Sequence, residues 1–147
     1  MIINQEISSI EVYYDASCGM CGRFKKWLEQ QHHLIEVELL SYTSEAARER
    51  FPDLAKYNPE KAMVIRADTG EIYRAAEATV ICLWACREYC GLAMKLRNPL
   101  LLPLARKIYP LIASNRHLIS KLLTDDKKLK RELEKHNDQC DDESCEL

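Results

Sequence analysis

The sequence has 147 residues, 47% of them hydrophobic and 30% charged, a composition typical of one globular domain that can bury an ordinary core. The formal net charge of −2 and the scattered basic residues argue against a nucleic-acid partner. Seven cysteines cannot all pair within one chain, which argues against a secreted disulfide framework.

The first predicted elements are a strand followed by a helix. Ile10, Val12 and Tyr14 alternate with other residues at the period of a strand that has one more apolar face. From Cys18 onward the apolar residues recur at helical spacing, at Met20, Phe24, Trp27 and Leu28. The pattern therefore predicts a helix that begins close to Cys18.

A second strand and a second helix follow. Residues 34–42 alternate apolar and acidic side chains, which predicts a strand. Thr43 or Ser44 is suited to cap a helix over residues 45–51, which ends before Pro52 because the residue preceding proline avoids helical geometry.

The clearest hairpin comes next. Two β-rich runs, residues 63–67 and 71–75, flank a short turn in which Gly70 can supply a positive φ. Residues 76–90 then have the pattern of a helix, and Gly91 is a natural residue to end it.

The predicted order β-α-β-α-β-β-α is the thioredoxin-like α/β arrangement. We expect a thioredoxin-like core over residues 1–98 and a carboxyl-terminal helical extension that caps the same domain over residues 99–123. Pro103 and Pro110 are expected to divide this extension into short helical pieces. Residues 124–147 are predicted to form a polar helix and an acidic tail.

Cys18 and Cys21 form a C-x-x-C pair at the predicted start of the first helix. The three-residue spacing lets Cys21 donate its S–H to a Cys18 thiolate and later attack a mixed disulfide on Cys18. We therefore predict Cys18 as the nucleophile, with a partly exposed sulfur, and Cys21 as the more buried resolving thiol. The competing interpretations of the pair are half of a zinc site and two thiols that lie near each other by chance.

Asp15 lies three residues before Cys18 and has two interpretations. A partly buried carboxylate could accept the proton of Cys21 during resolution. Alternatively, Asp15 only caps the helix, since aspartate is a preferred capping residue.

The remaining cysteines form two groups. Cys82, Cys86 and Cys90 recur every four residues on one predicted helical face, where they form part of the core or present three sulfurs to a metal ion. Cys140 and Cys145 lie in the predicted acidic tail, which is either unstructured or carries a second redox pair or a site for a soft metal ion.

Two segments resemble a known family. Y-D-A-S-C-G-M-C, residues 14–21, resembles the D-x-x-C-x-x-C signature of the DCC family of thiol-disulfide oxidoreductases, and Y-P-L-I-A-S-N-R-H, residues 109–117, resembles a second segment of that family. The resemblance implies a thioredoxin-like fold, thiol-disulfide exchange, and Asp15, Cys18 and Cys21 as the active-site set. Lys61 to Met63 stand where thioredoxins have a cis-proline, which leaves zinc or copper(I) binding open.

The sequence thus predicts a thiol-disulfide oxidoreductase with no cofactor, a protein or small-molecule disulfide substrate and a dithiol electron donor. The absence of a recognisable signal peptide predicts a cytoplasmic location. A non-catalytic metal-binding or redox-sensing module is the main alternative. A third hypothesis is an inactive domain that docks on a membrane or protein through the apolar residues 99–113, a run too short and too charged to span a bilayer.

Overall fold

The computed structural model describes residues 3, 6–116, 118 and 119. Within these residues the strands and helices alternate along the first half of the chain, and helices follow. The strands are β1 Ser9–Tyr14, β2 Glu36–Ser41, β3 Val64–Ala67 and β4 Ile72–Arg74. The α-helices are α1 Gly19–Glu29, α2 Glu45–Arg50, α3 Ala76–Trp84, α4 Cys90–Leu96 and α5 Leu102–Ser114, with short 3₁₀ helices at Leu54–Tyr57 and Arg87–Tyr89.

The four strands form one mixed sheet in the order β2-β1-β3-β4. β1 and β2 are parallel, with Val12 opposite Leu39, and α1 is the crossover that parallel neighbours require. β3 runs antiparallel to both β1 and β4, and Ile65 lies opposite Val12. This topology and the carboxyl-terminal helix α5 confirm the predicted thioredoxin-like fold.

The β3–β4 hairpin turns as the sequence predicts. Gly70 has a φ of 98°, a conformation that residues with a Cβ rarely adopt. The carboxylate of Asp68 accepts hydrogen bonds from the backbone N–H groups of Ser8 and Thr69, at 3.2 and 3.1 Å. These bonds hold the turn against the chain that enters β1.

Side chains from the two faces of the sheet form two separate apolar clusters. Successive residues of a strand point to opposite faces, so Val12 joins the larger cluster and Tyr13 the smaller one. The larger cluster includes side chains from α1, α3 and α4 and contains Leu28. The smaller cluster packs Tyr13 against Phe51, with ring centroids 5.7 Å apart. Both sides of β1 are therefore buried, which fixes the strand that leads into the C-x-x-C segment.

We expect Leu28→Ala to lower the free energy of unfolding by about 2–5 kcal/mol, because Leu28 is 0% exposed and its removal leaves a cavity in the larger cluster. Leu111→Ala makes the same chemical change at a residue that is 64% exposed, and we expect less than about 0.5 kcal/mol there. Urea unfolding curves of the two variants measure both values. Equal losses for both variants would show that α1 does not pack on the sheet as described.

The long helix predicted over residues 76–90 is wrong, because α3 ends at Trp84. Cys86 has an extended backbone and forms an isolated antiparallel bridge with His33. The adjacent N–H of Leu34 donates to the carbonyl of Ala85 at 2.8 Å. Pairing with the chain that follows α1 thus outweighs the helical pattern, and the chain resumes as α4.

Two smaller expectations about helix ends are also wrong. Gly91 does not stop a helix, since it lies within α4. The extension is not divided by its prolines: Pro103 lies in the first turn of α5, where a missing N–H is tolerated, and Pro110 is accommodated inside the helix. α5 packs against α3, and Arg106 of α5 pairs with Glu77 of α3.

No helix among the described residues is both long and apolar enough to cross a bilayer. Several apolar side chains of α5 are nevertheless exposed, at Leu104, Ile108, Leu111 and Ile112. The predicted polar helix and tail over residues 124–147 lie outside the described residues.

Candidate active site

Cys18 lies where the chain leaves β1 and enters α1, and it is the N-cap residue of that helix. Its backbone N–H donates to the carbonyl of Asp15 at 3.2 Å, which turns the chain after the strand. Its Sγ accepts a hydrogen bond from the backbone N–H of Cys21 at 3.4 Å. One of the unpaired N–H groups of the first helical turn is thereby directed at the Cys18 sulfur.

The two thiols differ in exposure, in the opposite sense to the sequence-based expectation. Cys18 is 2% exposed, whereas Cys21 is only partly buried. The reason is the capping geometry: an N-cap side chain folds over the first turn to reach its N–H group, so the Cys18 sulfur is turned inward. Cys21 lies one turn later and lines a cavity.

The surroundings of Cys21 favour its protonated form. Burial raises the pKa of the Cys21 thiol first of all, followed by its hydrogen bond with Cys18 and by the repulsion that a charge on the Cys18 sulfur would exert. The charge of Asp15 acts in the same direction, and the charge of Arg116 opposes it. The surroundings of Cys21 therefore oppose a second negative charge beside the Cys18 sulfur.

Asp15 is buried beside the two cysteines at 8% exposure. One carboxylate oxygen accepts the backbone N–H and the hydroxyl of Ser17, at 2.9 and 2.6 Å. The other forms an ion pair with Arg116 at 3.4 Å. Asp15 is not the N-cap of α1, since Cys18 has that position. Its carboxylate instead joins the loop before α1 to the chain just beyond α5.

A half-enclosed cavity of about 250 Å³ adjoins Cys21. Its floor includes α1 and the loop before β3, and α5 forms its opposite side. Most of the lining is apolar or aromatic, and its polar members are Asp15, Thr79, Lys61 and Arg116. The apolar and aromatic lining includes Met20, Phe24, Met63, Tyr109 and Ala113.

Residues 12–122, more than half of the chain, match the family model of the DCC1-like thiol-disulfide oxidoreductases. The matched residues begin in β1 and continue past α5, so they include both sides of the cavity. The chain belongs to the DCC1-like thiol-disulfide oxidoreductase family. No curated protein and no solved structure gives a match. Membership supports thiol-disulfide oxidoreductase chemistry in general, with disulfide substrates.

The other described cysteines of this DCC1-like chain are part of the core. Cys82 and Cys86 are both 0% exposed, and the Cys86 thiol donates to the carbonyl of Cys82 at 3.1 Å. Burial raises the pKa of both thiols, that of Cys86 to about 12. Cys90 is also buried, at the start of α4. The prediction of a core role is confirmed, but the shared helical face is wrong because the chain leaves the helix at Ala85.

Within the part of the chain that the structure describes, no three histidine, cysteine, aspartate or glutamate side chains are grouped as a metal site would need. The three-sulfur arrangement considered for α3 is therefore not formed there. Cys140 and Cys145 lie outside the described residues, and their predicted roles stay predictions.

The structure brings two residues of the Y-P-L-I-A-S-N-R-H segment to the cysteines. The sequence suggested for Arg116 a clamp on Asp15 or on a helix end, and the first is observed: Arg116 pairs with Asp15, and its guanidinium also donates to the carbonyl of Glu60 at 3.5 Å. Tyr109, to which the sequence gave no role, faces the same cavity from α5. The family resemblance of the segment was the signal for both residues.

Proposed function

We propose that this DCC1-like chain is a thiol-disulfide oxidoreductase whose active site is its D-x-x-C-x-x-C segment, with Cys18 as nucleophile and Cys21 as resolving thiol. The observation that carries the proposal is the position of the Cys18 sulfur at the α1 N-cap. There it accepts the backbone N–H of Cys21 and faces the Cys21 thiol. Donors of this kind stabilise a thiolate, which is the reactive form of cysteine.

The proposed reaction transfers two electrons from the protein to the substrate. The Cys18 thiolate attacks one sulfur of the disulfide, an S–S bond breaks, and one half of the substrate leaves as a thiolate that takes up a proton. Cys21 then loses its proton and attacks the Cys18 sulfur of the mixed disulfide. The second half of the substrate leaves, and Cys18 and Cys21 are joined in a disulfide. A dithiol donor reduces this bond and completes the cycle.

The causes of the Cys21 pKa shift support this order of events. Two of the three largest causes of the raised Cys21 pKa come from Cys18 as a thiolate. They are its hydrogen bond with Cys21 and its charge. Both are lost once the Cys18 sulfur is bonded to substrate. The Cys21 proton is therefore held tightly before the first attack and more weakly after it, which favours resolution only when a mixed disulfide is present.

The burial of Cys18 adds a requirement to the first step. Because Cys18 is only 2% exposed, the proposed attack requires the side chains that cover it to move first. Cys21 lines the cavity directly. We place the incoming disulfide in that cavity, one helical turn from the Cys18 sulfur.

Asp15 is the proposed acceptor of the Cys21 proton. It is the carboxylate whose charge acts on Cys21, and its burial at 8% exposure limits competition from water. Arg116 holds one of its oxygens at 3.4 Å. The ion pair fixes the carboxylate beside the thiol and connects the position of the chain after α5 to the proton-transfer step.

We expect Asp15→Asn to slow the resolving step by about 10-fold or more, since removal of a positioned base costs about 10²–10⁴-fold in typical enzymes. The first attack should be retained or faster, because a negative charge near the cysteines is lost. Asp53→Asn is the control, because it removes an exposed carboxylate paired only with Lys56 in the described contacts. Stopped-flow measurements of the two steps decide the point. A slower first attack with normal resolution would exclude the proposed role.

The direct test of the proposed function is catalytic reduction of a disulfide by the wild-type protein with dithiothreitol as the donor. We expect a rate above that of dithiothreitol alone, in proportion to protein concentration. The substrate in cells, protein or small molecule, and the cellular dithiol donor are parts of the same proposal. So is a location in the reducing cytoplasm, where thiols such as those of this cysteine-rich chain are kept reduced.

A further inference from the structure

We propose, on the basis of the function above, that the substrates of this site are low-molecular-weight disulfides with an apolar body, bound in the cavity between α1 and α5, rather than extended polypeptides. Three features of the described residues lead to this substrate class. They are the size and chemistry of the cavity, the hydrogen bonds of the chain beside the cysteines, and the position of α5.

The cavity has the size and the surface of a small-ligand site. Its volume of about 250 Å³ is just below the roughly 300–1,000 Å³ of typical sites for drug-sized molecules, which suits one small group. Met20 and Phe24 of α1 face Tyr109 and Ala113 of α5 across it. An apolar group would displace water from these side chains, whereas a strongly hydrated one would lose its own hydration.

The charges of the cavity lining are one ion pair and one exposed lysine. Arg116 is paired with Asp15, and Lys61 is exposed. A neutral body therefore fits the interior, and a positively charged one is disfavoured by Lys61 and Arg116.

The chain beside the cysteines offers few groups to an extended polypeptide. An extended partner binds by adding backbone hydrogen bonds to free N–H and C=O groups. β3 is internal to the sheet, and the carbonyl of Met63, which precedes it and lines the cavity, accepts the N–H of Ala75 at 3.0 Å. The hydroxyl of Tyr109 lies against the backbone of Met63.

α5 therefore limits which groups can bind beside Cys21. The hydroxyl of Tyr109 covers the backbone of Met63, where a polypeptide would add its hydrogen bonds, and the ion pair of Arg116 with Asp15 holds the chain after α5 near Cys21. The space left between α1 and α5 admits a side group next to the Cys21 sulfur. Selectivity for small apolar disulfides follows from this arrangement.

The test compares three disulfides with the reduced full-length protein. Two are the symmetrical disulfides of N-acetylcysteamine and of N-phenylacetylcysteamine, which share one leaving-group chemistry and differ in the apolar body. The third is the disulfide dimer of a Gly-Gly-Cys-Gly-Gly peptide. The rate of each disulfide with dithiothreitol alone is measured separately and used to correct for its intrinsic reactivity. We expect kcat/KM to be about 10-fold higher for the phenylacetyl than for the acetyl compound, and lowest for the peptide.

Two variants on α5 connect the preference to the cavity. Ala113→Leu fills it and should reduce the phenylacetyl preference to about 2-fold or less, whereas Ala105→Leu, the same change on α5 away from the cavity lining, should keep it. Tyr109→Phe removes the hydroxyl that covers the backbone of Met63 and should shift the ratio of rates toward the peptide. Equal corrected rates for the two cysteamine disulfides, or a preference for the peptide, would overturn the inference and leave the proposed function standing.

A binding measurement separates this inference from the proposed function. The analogues in which CH₂–CH₂ replaces S–S cannot react, and titration calorimetry with wild-type protein measures their affinities. Tighter binding of the phenylacetyl analogue than of the acetyl analogue supports the cavity as the ligand site even if no disulfide is turned over. Equal or no binding of both analogues, with no turnover, would overturn the substrate class together with the function.

Discussion

Cys18→Ser is expected to abolish disulfide exchange, with a loss of about 10³-fold or more in the catalysed rate, because a serine hydroxyl at neutral pH is a far weaker nucleophile than a thiolate. The N-cap position should survive the change, since serine is a preferred N-cap residue and its hydroxyl can accept the N–H of Cys21. The measurement is the rate of disulfide reduction with dithiothreitol as the donor. The fold of the variant is checked by circular dichroism.

Cys82→Ser is the matched control for that variant. It makes the same change at a cysteine that is 0% exposed and lies in the larger apolar cluster, away from the cavity. We expect its folded fraction to retain the wild-type rate. Full activity in Cys18→Ser would show that the C-x-x-C pair is not the active site.

Cys21→Ser is expected to have the second-largest effect and a different outcome. The Cys18 thiolate can still form a mixed disulfide, but no thiol is placed to resolve it. Adducts with substrate should accumulate to about one per protein molecule and be released by dithiothreitol. Intact-mass spectrometry after mixing with a disulfide counts them, and Cys18→Ser under the same conditions should form none.

The opposite pattern would reverse the roles of the two thiols. Cys21 is the more exposed cysteine and lines the cavity, so exposure alone would favour it as the nucleophile. Adducts that accumulate on Cys21 in Cys18→Ser, and not on Cys18 in Cys21→Ser, would establish that exposure outweighs the donors directed at the Cys18 sulfur. The assignment of Cys18 rests on those donors.

Local patterns predicted the parts of the fold that local physical chemistry determines. The alternation through Val12 and the helical spacing around Phe24 arise from which faces of β1 and α1 are buried, so sequence alone indicated both elements and placed Cys18 at their junction. The end of α3 could not be predicted in this way. It depends on the pairing of Cys86 with His33, a residue distant in the sequence.

The candidate site also has some features that the sequence predicted and others that it did not. Cys18, Cys21 and Asp15 lie within one short segment, and their proximity follows from their spacing. Two other properties depend on how α5 packs and on side-chain direction: the contact of Arg116 with Asp15, and the inward turn of the Cys18 sulfur. Neither has a periodic signal in the sequence. The relative exposure of the two cysteines was predicted wrongly for this reason.

The metal-binding alternative requires a group of metal ligands that disulfide exchange does not need. A bound zinc ion needs three or four ligands together, whereas no suitable group of three is formed within the described residues and burial favours the protonated form of Cys82 and Cys86. We find no observation in the described residues that favours this alternative over disulfide exchange.

The most direct measurement of the central claim is peptide mapping by mass spectrometry of fully reduced wild-type protein after one turnover with a limiting amount of disulfide. The account predicts one new bond, between Cys18 and Cys21, formed in step with the release of two thiols from each substrate molecule. Consumption of the disulfide with Cys18 and Cys21 both still reduced, and other cysteines oxidised in their place, would contradict it.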